Sequence, residues 1–150
     1  MSTLHNARMP DFACVLLVDR DGRVLLQERD EHAPWDALRW GLVGGHVEPG
    51  EDFTTAVVRE LEEETGLRLA VPLERWADFD VPDELTKEGD GTMAVFAARV
   101  DATDDDIVVG EGRQIVFCSA EDIASLDVAE LAGEVVAAFL ASPTYASMTG

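Results

Sequence analysis

The chain has 150 residues, the length of one ordinary domain, and 47% of them are hydrophobic, which is enough for a core. Its 31 acidic and 11 basic residues give a formal net charge of −20. Such a surface repels polyanions, so nucleic acid polymers and anionic membranes are poor partners. No apolar run approaches about 18 residues and the N-terminus lacks an apolar signal-peptide core, so no membrane span or secretory leader is expected.

The first half of the chain alternates apolar runs with turn residues, a pattern typical of strands joined by hairpins. Its predicted elements are strands over 12–18, 23–29 and 39–43, a polar loop over 30–38 and a helix over 52–65. Asp52 or Thr54 is suited to cap the start of this helix, and Gly66 is suited to the left-handed residue beyond its end. Cys14 and Cys118 lie in apolar runs, which predicts buried free thiols in a reducing cytoplasm rather than a disulfide.

The second half contains shorter apolar runs that charged loops separate. Its predicted strands cover 67–71, 76–81, 92–100, 107–109 and 114–118, and its predicted helices start near Ser119 and near Asp127, each with a capping-box pattern. In the strand over 76–81, Phe79 and Val81 are expected on one face and Trp76 on the other. The charged segment over 81–91 is expected to be a mobile loop.

These elements predict one domain over residues 1–150, without an internal repeat or linker. The last helix is expected to end near Leu140, since a Ser-Pro pair follows it. Residues 1–10 and 143–150 are expected to be flexible. Mixed strands with two longer helices predict an α/β or α+β sandwich.

The predicted helix over 52–65 carries four acids near its C-terminal end, at Glu60, Glu62, Glu63 and Glu64. The partial negative charge of a helix C-terminus disfavours acids there, and Glu60 and Glu64 repel each other at i, i+4. Helical spacing places Glu60, Glu63 and Glu64 on one face, an arrangement that suits a hard cation such as Mg²⁺. A solvated acidic face is the alternative that these residues leave open.

The residues around this helix follow a longer pattern. From Gly45 the chain reads a glycine, five residues, a glutamate, seven residues, Arg-Glu-Leu, one residue, two glutamates, one residue and Gly-Leu, ending at Leu67. This spacing matches every defined position of the Nudix box, so the sequence resembles the Nudix hydrolase family. The flanking strand order is also similar to that family, over roughly residues 12–140.

The resemblance implies an α/β/α sandwich with a mixed β-sheet and a loop–helix–loop catalytic motif. It implies that Arg59 orients Glu51, because a guanidinium fork holds a carboxylate in fixed geometry. Charge compensation on an acidic helix is the alternative role for Arg59. The resemblance also implies a set of metal ligands, namely the backbone carbonyl of Gly45 and the carboxylates of Glu60, Glu63 and Glu64.

The reaction that the resemblance implies is hydrolysis of a diphosphate linkage by attack of water at phosphorus. The implied cofactor is Mg²⁺, with Mn²⁺ as an alternative because both favour octahedral oxygen sites. The proton acceptor varies within the family, and the candidates in this chain are Glu64, Glu51 and Glu111. Glu111 lies between Gly110 and Gly112, similar to a loop that supplies a further metal-binding or base glutamate in relatives; a plain turn acid is the alternative.

Trp35, Trp40 and Phe79 are the candidates for stacking on a nucleobase, although such aromatic residues are more often part of a core. The chain resembles family members that cleave nucleoside triphosphates into a nucleoside monophosphate and pyrophosphate. An ADP-ribose or nucleotide-sugar pyrophosphatase is the first alternative, followed by a non-catalytic nucleotide sensor and a non-catalytic metal-binding protein. The expected partner is a small nucleotide, and the resemblance leaves room for a homodimer.

Overall fold

A computed structural model describes residues 10–149 of the chain. The strands are β1 (Phe12–Val18), β2 (Val24–Glu28), β3 (Trp40–Gly41), β4 (Val43–His46), β5 (Glu74–Val81), β6 (Gly91–Arg99) and β7 (Gln114–Cys118). The helices are α1 (Phe53–Thr65), α2 (Asp83–Thr86), α3 (Ala120–Ile123), α4 (Glu130–Leu140) and α5 (Pro143–Thr149), with a 3-10 turn at Asp104–Asp106.

In this part of the chain the strands form one mixed sheet around β1. β1 runs parallel to β6, from Phe12 opposite Met93 to Val18 opposite Arg99. The remaining strand pairs are antiparallel. Along its other edge, β1 pairs with β4 from Phe12 to Val15 and with β2 at Val18. β4, which opens the box segment, therefore lies next to the central strand.

Burial on both faces explains the unbroken apolar sequence of β1. Alternate side chains of a strand point to opposite faces, so Leu16 packs in one core cluster and Leu17 in the other. The first cluster contains residues of α4, including Phe139, and the second contains residues of α1, including Leu61. One helical layer thus covers each face of the sheet, which confirms the predicted α/β/α sandwich.

Two predicted strands are wrong, because residues 67–71 and 107–109 are not strands in this structure. Leu69 is partly buried against the α1 side of the core. The apolar pattern over 67–71 therefore reflects burial and not pairing with another strand. The second segment hydrogen-bonds to the end of α1 instead of to a strand. The N–H of Val108 donates to the carbonyl of Thr65 at 2.9 Å.

The predicted alternation in β5 is interrupted by a β-bulge between Arg75 and Ala77. The bulge brings Trp76 to the side of Phe79, with ring centroids 5.8 Å apart, and against Phe139 of α4 at 5.1 Å. The prediction that Trp76 and Phe79 lie on opposite faces is therefore wrong. An extra residue in one strand shifts the period of two on which that prediction depends.

The two predicted capping boxes in the second half have different outcomes. The side chain of Ser119 accepts the N–H of Asp122 at the start of α3, as predicted. α4 begins after Ala129 with no side-chain cap, so Asp127 does not cap it. The Asp127 carboxylate instead pairs with the Arg39 guanidinium at 3.2 Å, which ties the start of α4 to the segment that precedes β3.

Residues 143–149, within the segment predicted to be flexible, form the helix α5. The hydroxyl of Tyr145 donates to the carbonyl of Gly22 at 2.6 Å and fastens α5 to the turn between β1 and β2. The side chain of Ser142 accepts the N–H of Tyr145 at 3.1 Å. Pro143 lies in the first turn, where no N–H is needed, so this Ser-Pro pair begins a helix as well as ending one.

Residues 1–9 and residue 150 lie outside the described residues, so the predicted flexibility of the N-terminal segment stays a prediction there. The segment over 81–91 contains the short helix α2. Cys14 and Cys118 are buried free thiols, as predicted. Between residues 10 and 149, no helix combines the length and the apolar character that crossing a membrane requires.

Candidate active site

The segment that resembles the Nudix box folds as the end of β4, a loop and α1. The carboxylate of Asp52 accepts the N–H of Thr55 at 2.7 Å and begins α1, which settles the choice between the two predicted caps. Gly66 has φ 75° and ends the helix in the left-handed conformation, as predicted. These two caps set the bounds of α1, and its buried residues, among them Val57 and Leu61, pack against the sheet.

β4 approaches α1 and β1 so closely that a Cβ at either of two glycines would meet a neighbouring group. A Cβ at Gly45 would lie 2.7 Å from the carboxylate of Glu60. A Cβ at Gly44 would overlap the backbone oxygen of Ala13, and Gly44 also has φ 151°, which favours glycine. The paired glycines therefore allow the backbone of β4 to contact the acidic face of α1.

Arg59 joins the loop, β4 and α1. Its guanidinium donates to both oxygens of Glu51, with Nε–Oε2 at 2.7 Å and Nη2–Oε1 at 2.9 Å. Nη2 also donates to the carbonyl of His46, and Nη1 donates to Glu60 and Glu63, all at 3.0 Å. The bidentate pair with Arg59, helped by a backbone N–H, lowers the pKa of Glu51 to about 2. Glu51 is therefore an ionised, fixed carboxylate.

Glu64 is buried, with 4% of its surface exposed, and its Oε2 accepts the N–H of Gly44 at 3.0 Å. Burial first, and then the charges of Glu60 and Glu111, raise the pKa of Glu64 to about 7. Burial also raises the pKa of Glu60, against the opposing effect of Arg59. These carboxylates share a confined region in which added positive charge would be stabilising.

Glu111 reaches the same region from the segment before β7. The N–H of Gly110 donates to the carbonyl of Glu64 at 2.8 Å. The side-chain amide of Gln27 donates to the carbonyl of Glu111 at 2.9 Å. The charge of Glu111 contributes to the raised pKa of both Glu60 and Glu64, so the structure brings Glu111 to the glutamates of α1.

Gln27 belongs to this site although its sequence context did not predict it. It is 4% exposed in spite of its polar side chain. A single polar residue near the end of an apolar strand is ordinary, so pattern reasoning assigns it no role. The sequence feature that could have indicated a role for Gln27 is its polar amide directly after three apolar residues of β2, Val24 to Leu26, which are buried.

Within residues 10–149, no three carboxylate, histidine or cysteine side chains are already grouped as a metal site. Arg59 and the N–H of Gly44 hold the carboxylates of α1 by hydrogen bonds. The donors nevertheless fit a hard divalent cation, because they are oxygens gathered beside a glycine backbone, and burial together with neighbouring carboxylates raises the pKa of Glu60 and Glu64. The groups that could hold such a cation are the Gly45 carbonyl and the carboxylates of Glu60, Glu63, Glu64 and Glu111.

An open cleft of about 850 Å³ borders these carboxylates. Its carboxylate-bearing part is termed the floor, and it comprises Gly44, Gly45, Glu60, Glu63, Glu64 and Glu111. A second part is termed the wall, and it is the loop over residues 30–38, of which Trp35 lines the cleft. The volume is within the range of small-molecule sites.

Trp35 is held in the wall by contacts to both the core and the loop. Its ring makes edge contacts with Phe12 at 6.3 Å and with His46 at 5.9 Å between centroids. The Arg29 guanidinium lies 5.6 Å from the ring centroid, and its Nε donates to the carbonyl of Trp35 at 3.0 Å. Of the three aromatic residues predicted to stack on a base, Trp35 is the one that borders the cleft.

Trp40 and Phe79 lie outside the cleft lining, so the structure does not bring these two predicted stacking residues to the floor. Trp40 is 9% exposed, and its backbone N–H and carbonyl bond to Asp127 and Ala129 at 2.8 and 2.9 Å. Phe79 packs on Trp76 and lies outside the cleft lining. Trp40 belongs to the core on the α4 side of the sheet, and Phe79 is partly buried against that core.

The NUDIX domain family model matches residues 7–139 of this chain. The CTP pyrophosphohydrolase of Escherichia coli (strain K12) is 42% identical over 55 residues, which cover 37% of this chain and 40% of that protein. The RNA pyrophosphohydrolase of Rhodopseudomonas palustris is 32% identical over 120 residues, which cover 70% of this chain and 71% of that protein. The chain spans about half the length of most of the curated relatives that it matches.

A solved structure gives the same picture of the fold. The MutT NUDIX hydrolase from Burkholderia pseudomallei is 26% identical and superposes with a TM-score of 0.71. The superposition covers 85% of this chain and 95% of that one. The two chains therefore share their fold over most of their lengths.

Proposed function

The chain belongs to the Nudix hydrolase family, and from that membership we propose that it hydrolyses a diphosphate linkage in a small nucleotide with a divalent cation. The observation that carries the proposal is the floor of the cleft. There, Glu60 and Glu64 crowd against the glycine backbone of β4 and have raised pKa values. Carboxylates in this state favour a bound cation, and a cation beside an open cleft suits a phosphate substrate.

A divalent cation, Mg²⁺ or Mn²⁺, would supply charge neutralisation on the diphosphate and a more acidic water when bound. The residues proposed to hold it are Glu60, Glu63, Glu64, Glu111 and the carbonyl of Gly45. Arg59 has a positioning role, since it fixes Glu51, Glu60 and the carbonyl of His46 relative to one another.

The proton of the attacking water needs an acceptor beside the floor. Glu51 is a poor acceptor, because Arg59 engages both its oxygens and its pKa is about 2. Glu64 and Glu111 are the proposed acceptors. The oxygen of water forms a bond to phosphorus and the bridging phosphorus–oxygen bond breaks, so a nucleoside triphosphate yields a nucleoside monophosphate and pyrophosphate.

A small nucleotide is favoured by the charge of the cleft. The lining contains the acids Asp30, Asp36 and Glu48 in addition to those of the floor, while Arg29 contributes a guanidinium. With a net charge of −20, this surface repels a long polyanion. RNA is the second candidate substrate, because a relative matched over 70% of this chain is an RNA pyrophosphohydrolase.

Product analysis with Mg²⁺ tests the proposal. The panel contains CTP and the other nucleoside triphosphates, ADP-ribose, a nucleotide sugar and a short 5′-triphosphate RNA. We expect a nucleoside monophosphate and pyrophosphate from one triphosphate. Turnover of ADP-ribose or a sugar nucleotide alone would move the protein to that substrate class, and turnover of RNA alone would contradict the charge argument. Tight binding without turnover of any compound would indicate a nucleotide sensor.

The matched variants Glu64→Gln and Glu62→Gln test the site. Both residues lie on α1, but Glu62 is exposed and pairs with Arg68 at 2.6 Å, away from the floor. We expect Glu64→Gln to lower kcat/KM by about 1,000-fold, since charge stabilisation at a metal site is worth several kcal/mol. Glu62→Gln should stay within about twofold of the parent. Equal effects of the two changes would refute the site assignment.

Three sequence-based expectations accompany the proposed function. A single domain over residues 1–150 would be tested by limited proteolysis. A homodimer would be tested by sedimentation at micromolar concentration. A cytoplasmic location would be tested by fractionation of cells that express the chain.

A further inference from the structure

Gln27 is a buried amide that lines the cleft and contacts the segment that carries Glu111. It is 4% exposed and lies on β2, opposite Gly41 on one side and Ile115 on the other. Its Nε2 donates to the backbone carbonyl of Glu111 at 2.9 Å. Burying an amide is unfavourable unless it is hydrogen-bonded, so this contact determines where the side chain lies.

The segment from Gly110 to Gly112 is held at each of its three residues. The N–H of Gly110 donates to the Glu64 carbonyl at 2.8 Å, and a Cβ on Gly110 would overlap the backbone of Glu63. The carbonyl of Glu111 accepts from Gln27. Gly112 has φ 88°, and a Cβ on it would lie 3.1 Å from Nε2 of Gln27. Gly110 and Gly112 allow the segment to lie close to α1 and β2, and Gln27 bonds to the residue between these two glycines.

The segment over residues 110–112 is also bonded to Glu64, because the N–H of Gly110 donates to the Glu64 carbonyl at 2.8 Å. Gln27 and Glu64 both line the cleft. Glu111 and Glu64 come from distant parts of the chain, so the bonds from Gln27 and from Gly110 relate their positions.

We propose that Gln27 is a positioning residue that sets the separation between Glu111 and Glu64 across the floor. Gln27 acts through these two residues and need not touch substrate. Residues of this kind, which orient the groups that bind a cation, typically change affinity or activity by about 10- to 100-fold when replaced. The effect on turnover rests on the proposed function, whereas the effect on the geometry of the segment does not.

The test compares Gln27→Leu with Gln114→Leu. Leucine keeps most of the volume of Gln27 and removes its donors. Gln114 lies on the neighbouring strand β7, where its amide donates to the Glu28 carboxylate at 3.0 Å outside the cleft lining. Two readouts that do not need turnover are amide hydrogen exchange in the metal-free protein and Mn²⁺ affinity by electron paramagnetic resonance.

For Gln27→Leu we expect exchange at the Gly110 amide to accelerate at least about tenfold and Mn²⁺ affinity to fall about 10- to 100-fold. The Val108 amide, bonded to the carbonyl of Thr65, should exchange as in the parent. In the parent's preferred substrate assay, kcat should fall with KM unchanged. Gln114→Leu should stay within about twofold in all readouts.

The proposal is overturned if Gln27→Leu leaves Gly110 exchange and Mn²⁺ affinity within about twofold of the parent. Uniform acceleration at Gly110 and Val108 would also overturn it, because that pattern reports a general loss of stability. If Gln27→Leu does not fold, Gln27→Asn replaces it, since this change keeps the amide but shortens its reach. If the parent cleaves no nucleotide, the proposed function fails while exchange and Mn²⁺ binding still decide the role of Gln27.

Discussion

The floor and the wall of the cleft are built in contrasting ways. The floor joins a strand to a helix through paired glycines and the five hydrogen bonds of Arg59. The wall is a loop in which two non-glycine residues, Asp36 (φ 50°) and Leu38 (φ 65°), adopt left-handed conformations. The floor therefore tolerates few substitutions, while the wall is an irregular segment that can vary without moving the carboxylates.

Alanine substitutions at the two adjacent glycines of the floor should have different effects, one on stability and the other on catalysis. Gly44→Ala should destabilise the protein by about 3 kcal/mol, because its Cβ would overlap the backbone of Ala13 at a left-handed position. Gly45→Ala should fold normally, because its Cβ meets the flexible end of Glu60. That carboxylate must move, and a shift of about 1 Å at a reacting centre costs about 100-fold in rate.

Denaturant titrations and kcat/KM on the two alanine variants check this pair of expectations. Equal stability of both variants would contradict the close contact between β4 and β1. Full activity in Gly45→Ala would show that the position of Glu60 matters little for turnover. It would also contradict the statement that the floor tolerates fewer substitutions than the wall.

The floor should also make the stability of the folded protein depend on pH. The pKa of Glu64 is raised from 4.5 to about 7 in the folded protein, so its contribution to stability is complete below pH 4.5 and is lost as the pH rises through 7. Metal-free protein should therefore lose about 2 kcal/mol between pH 5 and pH 8 relative to Glu64→Gln. Glu62→Gln is the control that should keep the parent's pH dependence.

Chemical denaturation in the presence of a chelator measures this difference. Added Mg²⁺ should restore more stability at pH 8 than at pH 5, since it replaces the proton on Glu64. Parallel pH profiles for the parent and Glu64→Gln would contradict the burial of an unneutralised charge in the floor.

Replacement of Arg59 by lysine should lower kcat/KM less than Gly45→Ala, which moves the carboxylate of Glu60. Lysine keeps the charge but cannot donate to both oxygens of Glu51 and to the His46 carbonyl together. We expect kcat/KM to fall about 30-fold. Arg68→Lys, at an exposed pair with Glu62, is the matched control and should be neutral. The measurement is kcat/KM of both variants. An unchanged kcat/KM for Arg59→Lys would show that a positive charge at residue 59 is enough, without the hydrogen bonds of the guanidinium.

The two regions also differ in how far the sequence predicts them. Glu60, Glu63 and Glu64 share a face because helical spacing is a local property, and the capping of α1 is equally local. The position of Glu111 depends on hydrogen bonds to Glu64 and Gln27 that join distant segments. Helical spacing and the Nudix box pattern both indicated the first group, and resemblance alone pointed to Glu111.

In the fold, apolar periodicity predicted β1 and β7 with their observed bounds, because β1 is buried throughout and β7 is buried at Ile115, Phe117 and Cys118. The same signal failed over 67–71 and 107–109, because burial does not require a strand partner. In the cleft, aromatic character did not distinguish Trp35 from Trp40. Which side of a chain segment faces a cleft is set by tertiary packing, which composition and spacing do not encode.

Trp35 offers the smallest test, and it is the one that belongs to the wall. If Trp35 contacts the base of a bound nucleotide, Trp35→Leu should raise KM about fivefold and leave kcat unchanged, because an aromatic contact is worth about 1 kcal/mol and acts on the bound and reacting substrate alike. Trp76→Leu, on a ring packed against Phe139 away from the cleft lining, should lower stability and leave KM unchanged. A fall in kcat for Trp35→Leu would mean that the wall also positions the phosphates, and the division between a floor for chemistry and a wall for recognition would not hold.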